Sequence, residues 1–307
     1  MSCRLALALA SFASALVFAC GGASAPSGFD AVRAFEDLRA QTELGPRPAG
    51  SAGAERTREF IRERLRQAGW PVQEHAFEVT PPAGGAPVPM VNLIATRPGQ
   101  SPDTLMIAAH YDTKSIPGVR FVGANDGASG VAVLLELARS LDASAPPPLT
   151  TQLVFFDGEE AFGERIDDVD GLFGSRALAK RMRDDGSLAR VRALLLLDMI
   201  GDRDLNLAVD LYSSEELRAR LQRVGGDLVD PRQTLRIVDD HLPFLQQGLR
   251  EALLLIDFQY GARSSPGPLW HTAADDLAGV SAESLNRIGR VAVELVESLQ
   301  NDAQTAQ

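Results

Sequence analysis

Four strand-like, mostly apolar runs in this chain each end abruptly in acidic or histidine side chains. Thr104 to Ala109 runs into His110-Tyr111-Asp112, and Gln152 to Phe156 into Asp157-Gly158-Glu159-Glu160. Ala193 to Leu197 ends in Asp198, and Leu235 to Val238 in Asp239-Asp240-His241. Runs of this length and composition read as buried strands. Segments with helical periodicity separate them, and strands alternating with helices build a mainly parallel sheet covered by helices on both faces. In such sheets the active site lies beyond the carboxyl ends of the strands. The polar clusters are therefore expected to meet there.

The run ending at Phe156 carries the strongest constraint, because it places three carboxylates within four residues. Adjacent carboxylates repel, and burying either is costly unless positive charge sits beside it. A metal ion supplies that charge, so Glu159-Glu160 reads as one ligand beside one general base. A solvated strand-to-helix loop is the alternative. Successive residues of an extended strand point to opposite faces, so the chain must turn for both to serve one site, and Gly158 permits such a turn. The company the pair keeps favours the metal. Asp126, in Gly123-Ala124-Asn125-Asp126-Gly127, precedes a helix, and His271 follows Trp270 in a Pro/Gly-rich loop. Mixed Asp, Glu and His donors suit Zn2+. Each has another use: Asp126 as a helix N-cap, Asp198 as a cap on the turn after its strand, His271 as a loop histidine bonded to a carboxylate. Together they indicate a metal-dependent enzyme with a carboxylate base, while spacing alone leaves the reaction open.

Periodicity predicts helices over 29–43, 52–68, 127–141, 172–183, 214–225 (opened by a Ser214 cap), 241–248 and 281–299, and strands over 71–79, 91–96 and 252–256 besides the four runs. No repeat or linker divides them, so residues 29–302 read as one domain, followed by a disordered tail over 303–307. The 307-residue chain is 45% hydrophobic, enough for a large core, and its net charge of −11 argues against nucleic acid, whose phosphates need a basic face. Arg4 followed by the apolar stretch Leu5 to Ala19 reads as a signal peptide over 1–19, too short to span a bilayer. Val17-Phe18-Ala19-Cys20 resembles a bacterial lipobox, and 20–28 reads as a flexible tether with Cys20 as the lipid-bearing residue. The expectation is an exported monomer, either free in a bacterial periplasm or anchored as a lipoprotein. Cys3 and Cys20 are the only cysteines, so the domain has no disulfide.

His110-Tyr111-Asp112, Gly123-Ala124-Asn125-Asp126, Glu159-Glu160, Gly174-Ser175-Arg176, Asp198 and Trp270-His271, in that order, resemble the zinc aminopeptidase and glutaminyl cyclase family, from about Gly45 to Val296. Phe155-Phe156-Asp157-Gly158-Glu159-Glu160-Ala161-Phe162, the insertion between Ala161 and Leu172, and Asp239-Asp240-His241-Leu242-Pro243-Phe244 are similar to the cyclase branch. Asp126-Gly127-Ala128-Ser129-Gly130-Val131 looks more like an aminopeptidase. The cyclase resemblance implies conversion of the N-terminal Gln of peptides or proteins to pyroglutamate with release of ammonia. It implies one zinc on Asp126, Glu160 and His271, with Glu159 as base, Asp198 and Asp239 as carboxylates networked near it, and Trp270 and Ile237 against the substrate. The aminopeptidase resemblance implies two zincs sharing Asp126, the second held by His110 and Asp198, and hydrolysis of N-terminal residues. A non-catalytic zinc protein that captures N-termini is a third reading, opposed by Glu159, for which a binding module has no use. Glu164-Arg165 stand where the cyclase insertion commonly carries a Trp.

Overall fold

The central strands of the chain are buried on both faces, and this forces helices onto both sides of the sheet. In the computed structural model, which describes residues 28–141 and 145–305, the elements follow one another as α1 (Ala31–Leu44), α2 (Ala52–Gln67), β1 (Val72–Val79), β2 (Val88–Arg97), β3 (Ser101–His110), α3 (Ala128–Ser140), β4 (Leu149–Phe156), α4 (Phe173–Asp184), β5 (Val191–Asp198), β6 (Leu207–Asp210), α5 (Glu215–Gly225), β7 (Val229–Leu235), α6 (His241–Gln246), β8 (Ala252–Ile256) and α7 (Ala282–Thr305). Six strands form the main sheet in the order β1-β2-β4-β3-β5-β8. The four from β4 to β8 run parallel, and β2 and β1 are added antiparallel at one edge. Leu105, Ile107 and Ala109 of β3 enter a core shared with α1, α2, α3 and α7, while Met106 and Ala108 face a second core with α4 and α6. The anticipated single α/β domain with a mixed, mainly parallel sheet is the observed architecture.

The centre of the sheet is packed by α3, in which every residue from Ala128 to Ala138 is buried. Its one internal acid, Glu136, is fully buried and accepts from Arg33 Nε at 2.7 Å and Arg139 Nη1 at 2.9 Å. Charge-assisted bonds of this kind are what make such a burial tolerable.

The structure departs from the sequence reading at several places. β6 and β7 form a separate two-stranded parallel sheet. The run 235–238 is not a strand of its own, since only Leu235 belongs to β7 and the rest is irregular. β7 (Val-Asp-Pro-Arg-Gln-Thr-Leu) has no apolar run, and its Pro231 suits a sheet that is all edge. Ser214 precedes α5 but does not cap it, because its hydroxyl donates to Glu251 Oε2 at 2.5 Å. α7 continues through 303–305, where a disordered tail was expected. The predicted signal peptide 1–19 and the tether to residue 27, Cys20 included, lie outside the described residues. Among the described residues no helix is long and apolar enough to cross a membrane.

Candidate metal centre and substrate cavity

The polar strand ends do converge. His110 is the last residue of β3, Asp198 the last of β5, and Glu159-Glu160 follow β4. Gly158 makes the turn that brings both glutamates to one side. Its φ is +70°, and a Cβ there would lie 2.5 Å from Met90 Sδ, so both backbone and space call for glycine. The turn is then pinned by Asp112, whose carboxylate accepts from the backbone N–H of Glu159 at 3.1 Å and of Glu160 at 3.3 Å.

Asp126 is fixed as firmly. The cap position of α3 is Gly127, at φ +87°, and no side chain caps the helix, so Asp126 is not spent as an N-cap. The N–H groups of Asn125 and Asp126 donate to Asp275 at 2.7 and 3.1 Å, and Tyr260 donates its hydroxyl to the same carboxylate at 2.9 Å. Arg47, wholly buried, donates to Tyr111 O at 2.6 Å, Val122 O at 2.5 Å and Gly123 O at 2.8 Å. One guanidinium thus ties the end of β3 to the loop that carries Asp126. His271 has a left-handed backbone, φ +53°, which is uncommon for a non-glycine residue and must be held by its surroundings. Trp270 stacks on its ring at 3.8 Å, and Phe121 meets it edge-on.

Two donor sets result, and they share Asp126. In the first, His271 Nε2 lies 3.2 Å from Glu160 Oε1 and 3.4 Å from Asp126 Oδ2. In the second, His110 Nε2 lies 3.1 Å from Asp126 Oδ1 and 3.2 Å from Asp198 Oδ1. Each set aims one imidazole nitrogen and two carboxylates at a common point, a nitrogen and oxygen set that fits zinc. Asp112 lies 3.5 Å from the other nitrogen of His110, where an outer carboxylate commonly orients a ligating histidine.

The electrostatics follow from crowding acids in a dry place. Burial, reinforced by Glu160, Asp239 and Asp240, pushes the Glu159 carboxyl well above the usual range. Burial likewise raises Asp239 strongly and Asp240 to about 7. For Asp126, burial pushes upward but is outweighed by hydrogen bonds to His110 and His271, and its carboxyl is held low. Burial works against the charged form of His271, yet Asp126 and Glu160 raise it to about 9. Such opposed shifts within one cluster make it a candidate functional site.

The site opens into a cavity of about 300 Å3. Asp126, Glu159, Glu160, Asp198, Asp239 and His271 line it, and Ile237, Met199, Phe258 and Trp270 give it an apolar wall. A second cavity of about 700 Å3 adjoins it across Glu164, Arg165 and Trp270. Asp240 and His241 do not line the first cavity. His241 is fully buried, 3.2 Å from Asp210 Oδ2, and belongs to neither donor set. Asp275, Arg47 and Lys114 escaped the sequence reading. Lys114 Nζ donates to Ala161 O at 2.9 Å and stands 3.8 Å from Glu160. Its place two residues after Asp112 was the available signal, whereas Asp275 and Arg47 act on backbone groups and leave none.

A mainly parallel sheet with two histidine–carboxylate donor sets and a buried glutamate at its strand ends defines an α/β enzyme with a candidate metal centre. Residues 92–296 match the model of peptidase family M28, and the chain belongs to that family. Within it the chain sits with the glutaminyl cyclases. It is 33% identical over 297 residues to the glutaminyl-peptide cyclotransferase of Gloydius blomhoffii, covering 82% of this chain and 78% of that one. The glutaminyl-peptide cyclotransferase of Drosophila melanogaster is 32% identical, covering 81% of this chain and 75% of its own. The crystal structure of an Acidobacteriales bacterium glutaminyl cyclase superposes with a TM-score of 0.84 at 33% identity, over 92% of this chain and 98% of that one. A Zn-dependent exopeptidase from Parabacteroides distasonis shares the fold, with a TM-score of 0.76 at 21% identity over 87% of this chain and 98% of its own.

Proposed function

We propose that this chain is a zinc-dependent glutaminyl-peptide cyclotransferase that closes the N-terminal Gln of a peptide or protein to pyroglutamate. The observation that carries this reading is that Glu159 and one complete donor set, Asp126, Glu160 and His271, line the same cavity, whereas His110 of the other set does not. The cyclases among its relatives support it. Asp126, Glu160 and His271 would hold the zinc, which would supply a Lewis acid for the γ-carbonyl of the substrate Gln.

The chain's own residues move the proton and hold the geometry. Glu159 accepts a proton from the α-amine, and the freed nitrogen attacks the γ-carbonyl carbon of the same residue. The new C–N bond closes a five-membered ring, and the bond to the amide nitrogen breaks. Glu159 returns the proton to that nitrogen, which leaves as ammonia. Nucleophile and electrophile belong to one residue, so the site has to orient them and exclude water. The wall of Trp270, Ile237, Met199 and Phe258 suits that task. Asp198 and Asp239, both on the cavity, complete the carboxylate network near the base.

The donor set of His110, Asp126 and Asp198 supports a second reading, a two-metal aminopeptidase in which Glu159 activates water. The two readings are separated by incubating zinc-loaded protein with a Gln-initiated and a Leu-initiated peptide. Cyclisation removes about 17 Da from the first, the mass of the ammonia that proton transfer releases. Release of free Leu from the second, with no change in the first, replaces the cyclase reading by the aminopeptidase one. We also read the chain as exported, with a lipid anchor at Cys20 favoured over an ordinary cleaved signal peptide, on the strength of Leu5 to Ala19 and Val17-Phe18-Ala19-Cys20. A mature N-terminus at Cys20 carrying acyl mass is the expected product, and an intact Met1 in the cell-associated protein contradicts it.

A further inference from the structure

The cavity is acidic within and basic at its rim. The carboxylates of Asp126, Glu159, Glu160, Asp198 and Asp239 on its wall are all buried, whereas Arg165 and Arg236 on the same cavity are exposed. Lys114, the third cation there, is already engaged by Ala161 O and Glu160. Arg165 and Arg236 make no ion pair and no side-chain hydrogen bond among the described residues. Glu164 shares the rim, so Arg236, arriving from the segment after β7, leaves it with one positive charge in excess. On a chain whose net charge is −11, a positive rim over an acidic pocket is a local arrangement that the overall charge does not explain.

The position of Arg165 matters as much as its charge. It lines both the cavity of about 300 Å3 and the adjoining one of about 700 Å3. On the cyclase reading, on which this inference rests, the α-amine and the γ-amide of the N-terminal Gln occupy the acidic end. The carbonyl of that Gln points outward, and the second residue of the substrate leaves past the rim. Arg165 borders either route.

We propose that Arg165, assisted by Arg236, determines specificity by pairing with a carboxylate one residue beyond the N-terminal Gln, so that Gln-Glu and Gln-Asp sequences are preferred substrates. The side chain of the second residue supplies this carboxylate. The free C-terminus of a dipeptide presents the same chemistry on the same residue and is the source to be distinguished from it. Solvent-exposed arginine–carboxylate pairs are weak, so the preference is about two- to fivefold in kcat/KM. Reversing the charge replaces attraction by repulsion and moves the ratio by about tenfold.

The test compares ammonia release by zinc-loaded protein from C-terminally amidated Gln-Glu-Ala, Gln-Lys-Ala and Gln-Ala-Ala, and from the free dipeptide Gln-Ala. The expected result is a kcat/KM ratio of Gln-Glu-Ala to Gln-Lys-Ala above one in the wild type, near one in Arg165→Gln, and below one in Arg165→Glu. The ratio also shrinks at about 0.5 M salt, where charges are screened within a few ångströms. Because the ratio is taken within each variant, a general loss of activity does not disturb it. A ratio equal in wild type and Arg165→Glu overturns the proposal. A flat ratio combined with an Arg165-dependent preference for the free dipeptide over Gln-Ala-Ala amide also overturns it, by moving the arginine to the C-terminal carboxylate. No ammonia from any peptide overturns the cyclase reading itself, and the wild type alone reveals it.

Discussion

The two donor sets use the same chemistry and share Asp126, yet they stand differently toward the substrate. The side chain of His271 is 16% exposed and that of His110 only 1%. The difference follows from where each histidine is carried. His110 is the last residue of a central strand and sits inside the layer of the sheet, beneath the loops. His271 comes from a loop laid over the strand ends, with a left-handed backbone and Trp270 stacked on its ring. A strand-end residue of this kind can orient a carboxylate, while a loop residue can meet what enters the cavity. In this account the outer set works on substrate and the inner set holds Asp126 and Asp198 in place.

Breaking the chemistry without breaking either set gives the largest expected effect. Glu159→Gln keeps shape and metal content and lowers the rate of ammonia release by about a thousandfold, within the usual range for losing a general base. Equal rates in the variant and wild type contradict the role given to Glu159. Next comes the comparison itself. His271→Ala is expected to cost well over a hundredfold and to lower zinc content, whereas His110→Ala costs about ten- to a hundredfold, the scale of a lost outer partner. Equal losses in the two variants favour two working metals. Asp112→Asn tests the support beneath both sets, since Asp112 holds the Glu159-Glu160 turn and faces His110. It is expected to cost about 1.5–3 kcal/mol in unfolding free energy, as for other hydrogen bonds to charged groups. Denaturant melts of the metal-free protein measure this directly.

The smallest effect on activity belongs to a control outside both sets. Burial holds the Asp257 carboxyl at about 7, although Asn206 N and Gln259 N donate to it. Its unfolded value is near 4, so between these limits the folded state binds the extra proton. Its contribution to stability is complete below pH 4 and is lost as pH rises through 7, at up to about 1.4 kcal/mol per pH unit. Asp257→Asn is expected to flatten that slope in the metal-free protein and to leave the comparison of the two sets untouched.

Much of this was legible in the sequence because the same residues that build the sheet announce the site. Leu105 to Ala109, Leu153 to Phe156 and Leu194 to Leu197 are apolar without interruption, which only a doubly covered strand requires, and the polar residues that follow each run supply His110, Asp198 and Glu160 of the donor sets, with Glu159 beside them. His110, Glu159, Glu160 and Asp198 are legible in this way, and Gly158 announces the turn. β6 and β7 were not, because four residues of one and the mixed polar pattern of the other bury too little to leave a periodicity. Arg47 and Asp275 were hidden for a different reason: they serve the site through backbone carbonyls and N–H groups of distant loops, and such partners leave no trace in side-chain pattern. Leu235 to Val238 misled because a short apolar run next to acids resembles a strand end, while here it is a loop that lays Ile237 and Asp239 against the cavity.

The claim that one outer set does the work is tested most directly by titrating zinc into chelator-stripped protein while following ammonia release from a Gln-initiated peptide. The account predicts that activity rises to its plateau at one equivalent of zinc per chain and that a second equivalent adds nothing. Activity that appears only as the second equivalent binds, or release of Leu from a Leu-initiated peptide at that point, contradicts it.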